Sequence, residues 1–165
     1  MKIGIDIGGV IIDRHRNDES DTSLMGPNYL NAYAVKDAFH AIERLNGTLF
    51  KDQVYVVSKC GHNIERKSRE WLAHNKFHEI TGVPVERLHF CRRRSEKAPI
   101  ADKLALTHFV DDRLEVLGYM RDVVPHRILF NPDPKEVSSM SQTAGAAVHA
   151  YSWVDVLVWL ERNYR

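Results

Sequence analysis

The chain has 165 residues, 44% of them hydrophobic and 27% charged, with 23 Lys and Arg set against 22 Asp and Glu. That length suits one domain around one core, and the composition excludes a disordered or fibrous chain. The near-cancelled charge excludes a nucleic-acid binder that works by bulk electrostatics, and two cysteines, Cys60 and Cys91, are too few for a secreted disulfide framework.

Lys2 to Ile7 reads as a short β-strand that stops at Gly8-Gly9; Asp6 inside it argues against a signal peptide. Residues 13–28 are polar and without periodicity, which predicts a lid or minimal cap loop. Val35, Ala38, Ile42 and Leu45 form one apolar stripe, predicting a helix within 32–46 that ends at Asn46-Gly47. Gln53 to Ser58 is β-branched and aromatic, a second strand. Ile64, Ser68, Trp71 and Leu72 mark a helix from His62 onward, on which His74 and His78 would stand four apart. Arg87 to Cys91 predicts a third strand, and Pro99 to Leu106 a short helix with proline in its first turn. His108 to Asp111, His126 to Phe130 and Ala147 to Tyr151 complete the strands. Ser152 and Asp155 open a last helix through Tyr164 as a capping box. No apolar run reaches the ~18 residues of a membrane span.

Strands that alternate with helices, and that are apolar on both faces, predict a three-layer α/β/α sandwich with a mainly parallel sheet. The expected organisation is a single domain over 1–165 with no cap or a minimal one, in a reducing, cytoplasmic setting.

Ligands bind such sheets beyond the carboxyl ends of the strands. The residues expected there are Asp6, Gly8 and Gly9 after the first strand, Ser58 and Lys59 after the second, and Asp111 and Asp112 after the fourth. Lys97 precedes the helix that leads into that fourth strand. Carboxylates that cluster call for a cation, and hard oxygen donors in small number suit Mg²⁺. A lysine and a hydroxyl beside them suit phosphoryl oxygens, and an aspartate can attack phosphorus covalently. Arg92 and Arg94, after the third strand, are candidates to bind a further phosphate, a nucleotide or a nucleic-acid end. Cys60, beside Gly61 at a helix start, is a candidate for a depressed thiol pKa.

The segments Ile3-Gly4-Ile5-Asp6-Ile7-Gly8-Gly9-Val10, Val54 to Ser58, Lys97 and His108-Phe109-Val110-Asp111-Asp112-Arg113 resemble, in order, the four motifs of the haloacid dehalogenase-like hydrolases, mostly Mg²⁺-dependent phosphatases. Residues 58–113 are loosely similar to the deoxyribonucleotidase-like members. The resemblance implies Asp6 as nucleophile and Mg²⁺ held by Asp6, the Gly8 carbonyl and Asp112, with Asp111 either a further metal ligand or assisting from behind the ligands. It implies Ser58 and Lys97 as phosphoryl ligands, Lys97 being preferred to Lys103 because it stands at the helix start. Gly9, Lys59, Arg92 and Arg94 complete the expected substrate-binding set. The substrate expected is a small phosphorylated molecule such as a nucleotide, with a nucleic-acid end or a protein as larger alternatives.

One position departs from the pattern. The second aspartate usual in these phosphatases, the general acid, is Gly8 here. Asp13, His15 and His62 are candidates to replace it. The alternative expectation is a weak or inactive protein that keeps the site for phosphate or nucleotide binding.

Overall fold

A computed structural model of the chain describes residues 1–14, 24–135, 137, 138 and 147–164. Strands β1 (Ile3–Ile5), β2 (Val54–Lys59), β3 (Leu88–Cys91), β4 (His108–Asp111), β5 (His126–Phe130) and β6 (Val148–Ala150) form one sheet in the order β3-β2-β1-β4-β5-β6. Every neighbouring pair is parallel. Parallel strands need covered crossovers, so both faces are buried and the strand sequences run apolar rather than alternating. The expected sandwich is therefore what forms, with its sheet parallel throughout.

Two cores lie on the two faces. One joins Ile3, Ile5, Val54, Val56 and Ile128 to α1 (Ala38–Gly47), Trp71 of α2 (His62–His74), Phe77 of α3 (Phe77–Thr81) and Trp153 of α6 (Trp153–Asn163). The other joins Val57, Phe109 and Leu129 to α4 (Lys97–Leu104) and α5 (Leu114–Tyr119). From β1 the chain winds outward to β2 and β3, then returns to lay β4 against β1. That reversal opens a crevice between the carboxyl ends of β1 and β4.

Three local expectations are corrected. The first helix begins at Ala38 and not near Ala32; residues before it make a 3₁₀ turn, Tyr29–Asn31, and an antiparallel bridge from Ala34 to Ile12. Pairing with the loop after β1 overrides helix propensity there. Helices α3 and α5, five and six residues long, went unanticipated because so few residues carry no readable period. His74 and His78 fall on different helices, since Lys76 between them has a left-handed backbone, φ 57°. His78 Nδ1 lies 2.7 Å from the Val83 carbonyl oxygen instead of facing His74.

Helix α6 opens as expected, with Ser152 Oγ accepting from the Asp155 amide and Asp155 accepting from the Tyr151 amide. Its Trp153 indole donates to the Val10 carbonyl over 2.8 Å, tying the last helix to the loop that leaves β1. No helix among the described residues is long and apolar enough to cross a membrane.

Candidate active site

The ladder between β1 and β4 continues one step past β1, where the Asp6 amide donates to the Val110 carbonyl. It sets Asp6 beside Asp111 at the mouth of the crevice. Beyond Asp6 the chain turns sharply: the amides of Val10, Ile11 and Ile12 all donate to the Ile7 carbonyl. Gly9 makes this turn possible. Its φ is +77°, a conformation that L side chains rarely adopt, and a Cβ there would run into the Asp112 carboxylate.

Ligand-capable oxygens of Asp6, Asp111 and Asp112 all lie within 4.8 Å of one another. Lys97, 2% exposed, stands among them at the start of α4, its Nζ 2.8 Å from Asp6 and 2.7 Å from Asp111 Oδ2. Burial opposes the charge on Lys97, but Asp6 and Asp111 outweigh it and hold the ammonium above the ordinary lysine range. Burial, and then the neighbouring Asp6 charge, push the carboxyls of Asp111 and Asp112 upward. Lys103, on the same helix, is exposed.

The two aspartates of β4's end are not equivalent. Asp111 has both oxygens engaged, Oδ2 by Lys97 and Oδ1 by the Arg113 amide at 2.9 Å. Asp112 Oδ1 is buried and has no hydrogen-bond partner among the described residues. A buried carboxylate oxygen without a donor is a ligand atom in want of a cation. The donor set therefore fits Mg²⁺: oxygens of Asp6, Asp111 and Asp112 converge, Lys97 engages one oxygen of each of the first two, and Asp112 Oδ1 has no donor among the described residues.

These groups border a cavity of about 500 Å³, lined on its polar side by Asp6, Gly8, Ser58, Lys59, Lys97 and Arg94 and on its apolar side by Ile12, Leu24, Met25, Ile64 and Val116. Ser58 is buried and Lys59 exposed at its rim. Arg94 lines it while pairing with Glu115 at 2.9 Å. Arg92 is not among its lining residues: its guanidinium donates to the Cys60 carbonyl and to Glu65, and lies 2.7 Å from His62 Nδ1. Arg92 thus braces the β2–α2 junction, and His62 is turned toward it. Asp13 lines the cavity, whereas His15 and residues 16–23 of the expected lid lie outside the described residues. Cys60 also lines the cavity, but burial, with Glu65 adding, pushes its thiol up to about 11, the reverse of the expected depression.

The residue that sequence reasoning missed is Arg14. Its guanidinium lies 3.5 Å from the Gly8 carbonyl oxygen and 3.4 Å from Asp112 Oδ2. No motif spacing marks it; the one available signal was a cation close in sequence to a glycine that replaces an acid.

The fold and the site together define a parallel α/β sandwich with a carboxylate–lysine centre at the sheet's switch point. Among solved structures the chain is similar to D,D-heptose 1,7-bisphosphate phosphatase from B. bronchiseptica, determined with magnesium and phosphate: TM-score 0.67, 15% identity, over 98% of this chain and 99% of that one. It is likewise similar to the D,D-heptose 1,7-bisphosphate phosphatase of Burkholderia thailandensis, with TM-score 0.59 and 17% identity over 98% and 99% of the two chains. No protein-family model and no curated protein sequence matches the chain.

Proposed function

We propose that this chain is a Mg²⁺-dependent phosphohydrolase that transfers a phosphoryl group from a phosphomonoester to Asp6 and then to water. The carrying observation is the buried Lys97 bridging Asp6 and Asp111 beside an Asp112 oxygen that has no hydrogen-bond partner among the described residues. The magnesium and phosphate held by the B. bronchiseptica enzyme support the same chemistry on the same fold.

In this reading Asp6, the Gly8 carbonyl and Asp112 would hold Mg²⁺, which would supply positive charge to the transferring phosphoryl oxygens and let the acids face an anionic substrate. Lys97 pairs with Asp6 and aims it, and with Ser58 it binds phosphoryl oxygens, whereas the Gly9 amide expected to join them donates to the Ile12 carbonyl over 2.9 Å. Asp111 holds Lys97 in place. Lys59 and Arg94 at the rim attract the anionic substrate. An Asp6 oxygen attacks phosphorus to give an aspartyl-phosphate, which water hydrolyses.

The 165 residues act as one domain without an inserted cap, in a cytoplasmic setting that suits two free cysteines. Residues 13–28 serve as the lid; Leu24 and Met25 of that stretch already line the cavity. Small phosphorylated molecules, nucleotides among them, are the proposed substrates, and an open cavity also admits a nucleic-acid end or a protein. A panel of phosphomonoesters tests the reading. Turnover abolished both by Asp6→Asn and by EDTA is expected. Phosphate or nucleotide binding without turnover on any of them instead identifies a binding protein.

A further inference from the structure

Gly8 leaves room for a side chain, and the structure shows what takes it. A Cβ built on Gly8 would lie 3.0 Å from Arg14 Nη2. The Arg14 guanidinium therefore fills the volume a longer residue 8 would need, between the Gly8 carbonyl and Asp112. It is also a cavity-lining group, with its side chain 38% exposed, so a ligand in the cavity meets it. Asp112 faces two ways: its Oδ2 lies 3.4 Å from Arg14, while its Oδ1 has no hydrogen-bond partner among the described residues.

Resting on the phosphohydrolase reading, we infer that Arg14 is a catalytic residue that binds the leaving-group oxygen, and that the substrates carry phosphate on an acidic oxygen, such as a carboxylate, a phenol, an enol or a second phosphate. A guanidinium stays protonated at any working pH and cannot act as a general acid, but its N–H groups neutralise an oxyanion well. An alkoxide needs a proton in order to leave; a carboxylate or phosphate does not.

The balance is as follows. An Asp6 carboxylate oxygen forms a bond to phosphorus while the bond from phosphorus to the leaving oxygen breaks. The electron pair departs on that oxygen as an anion paired to Arg14, with no proton transferred. Water then attacks phosphorus, the aspartyl oxygen leaves as the Asp6 carboxylate, and the water protons end on inorganic phosphate and solvent.

The test measures kcat and KM at saturating Mg²⁺ for acetyl phosphate, a series of aryl phosphates and glycerol phosphate, with wild type, Arg14→Ala, Arg14→Lys and Asp6→Asn. Wild-type rates should fall steeply as the leaving group becomes more basic, with glycerol phosphate about 10²–10⁴-fold behind acetyl phosphate, the worth of a missing acid. Arg14→Ala should lose about 10²–10³-fold in kcat on acetyl and p-nitrophenyl phosphate, the worth of one oxyanion donor, and Arg14→Lys should recover part of it. The double variant Gly8→Asp with Arg14→Ala should gain on glycerol phosphate, because the emptied volume accepts an acid.

A flat dependence on leaving group overturns the inference and leaves the phosphohydrolase reading standing. So does Arg14→Ala matching wild type at saturating Mg²⁺ while titration calorimetry shows tighter Mg²⁺ binding, because Arg14 is then only a placeholder for the cation. A strong rate loss in Asp13→Asn confined to glycerol phosphate overturns it too, by locating a proton donor. Wild type as inert as Asp6→Asn on every compound overturns the phosphohydrolase reading itself.

Discussion

Strand β4 carries a buried ionisable side chain at each end, and the fold treats the two in opposite ways. At the carboxyl end Asp111 is fully buried with Lys97 bonded to it. At the amino end His108, 1% exposed, is stacked on His126 at 4.7 Å and edged by Tyr164 and Phe50. Its Nδ1 lies 2.8 Å from Thr107 Oγ1, and burial, with His126 and the N-terminus adding, pushes its pKa down to about 4. A histidine can discard its charge, so an aromatic cage suffices. At the carboxyl end burial likewise pushes Asp111 toward its neutral form, but Lys97 pulls the other way and is itself held charged, although a buried charge pair is seldom the cheapest way to fill a core. Charge is retained at the end of the strand where the proposed chemistry uses it.

Removing Lys97 is the hardest blow to this contrast. Lys97→Met leaves Asp6 and Asp111 buried without their cation and should cost about 3–5 kcal/mol in urea denaturation, partly restored by added Mg²⁺. Unchanged stability would show that the carboxylates, like His108, simply neutralise.

Next in size is the acid limb of stability. Unfolded histidine titrates near 6.5 and folded His108 near 4, so the unfolded state binds more protons between those values. Its contribution is complete above pH 6.5, is lost as pH falls toward 4, and levels off below that, for about 3 kcal/mol in all. Asp111 and Asp112, held upward, work against this slope. The check is therefore the stability difference between wild type and His108→Phe at each pH, which cancels the carboxylates.

Trp153→Phe keeps an aromatic ring but removes the N–H that meets the Val10 carbonyl together with part of the buried indole's volume, and should cost about 1–3 kcal/mol for the unsatisfied carbonyl, with the lost packing adding to it. Hydrogen exchange should rise in residues 7–12, where the turn positions Gly8 and Gly9. The smallest effect belongs to Arg92→Ala, a loss of about 1 kcal/mol or less from a partly exposed network with substrate KM unchanged. Arg94→Ala, by contrast, should raise KM. A KM effect at Arg92 as large as at Arg94 would mean that both arginines face the substrate.

Much of the arrangement was legible beforehand because it follows from short-range rules. Strands without alternation imply burial on both faces, and a parallel sheet sends its ligands to the carboxyl ends. Hence Asp6, Ser58, Asp111 and Asp112 could be grouped from order alone, and Lys97 preferred to Lys103 from its place at a helix start. Arg92 and Arg94 show the limit. They are two residues apart, yet Glu65 and the Cys60 carbonyl draw one away from the cavity while the other stays on its wall. The choice depends on partners 27 and 32 residues distant, which no local pattern encodes.

The sequence by itself determined the near-zero charge, the six strands, their parallel pairing through intervening helices, and the acids and lysine at one edge. Only the tertiary structure decided how that neutrality is distributed. It paired Lys97 with Asp6 and Asp111, left an oxygen of Asp112 without a partner among the described residues, turned His108 into a neutral core residue, and put Arg14 beside Gly8. Periodicity reports which face of an element is buried, whereas a charge's fate depends on which opposite charge the folded chain brings within a few ångströms.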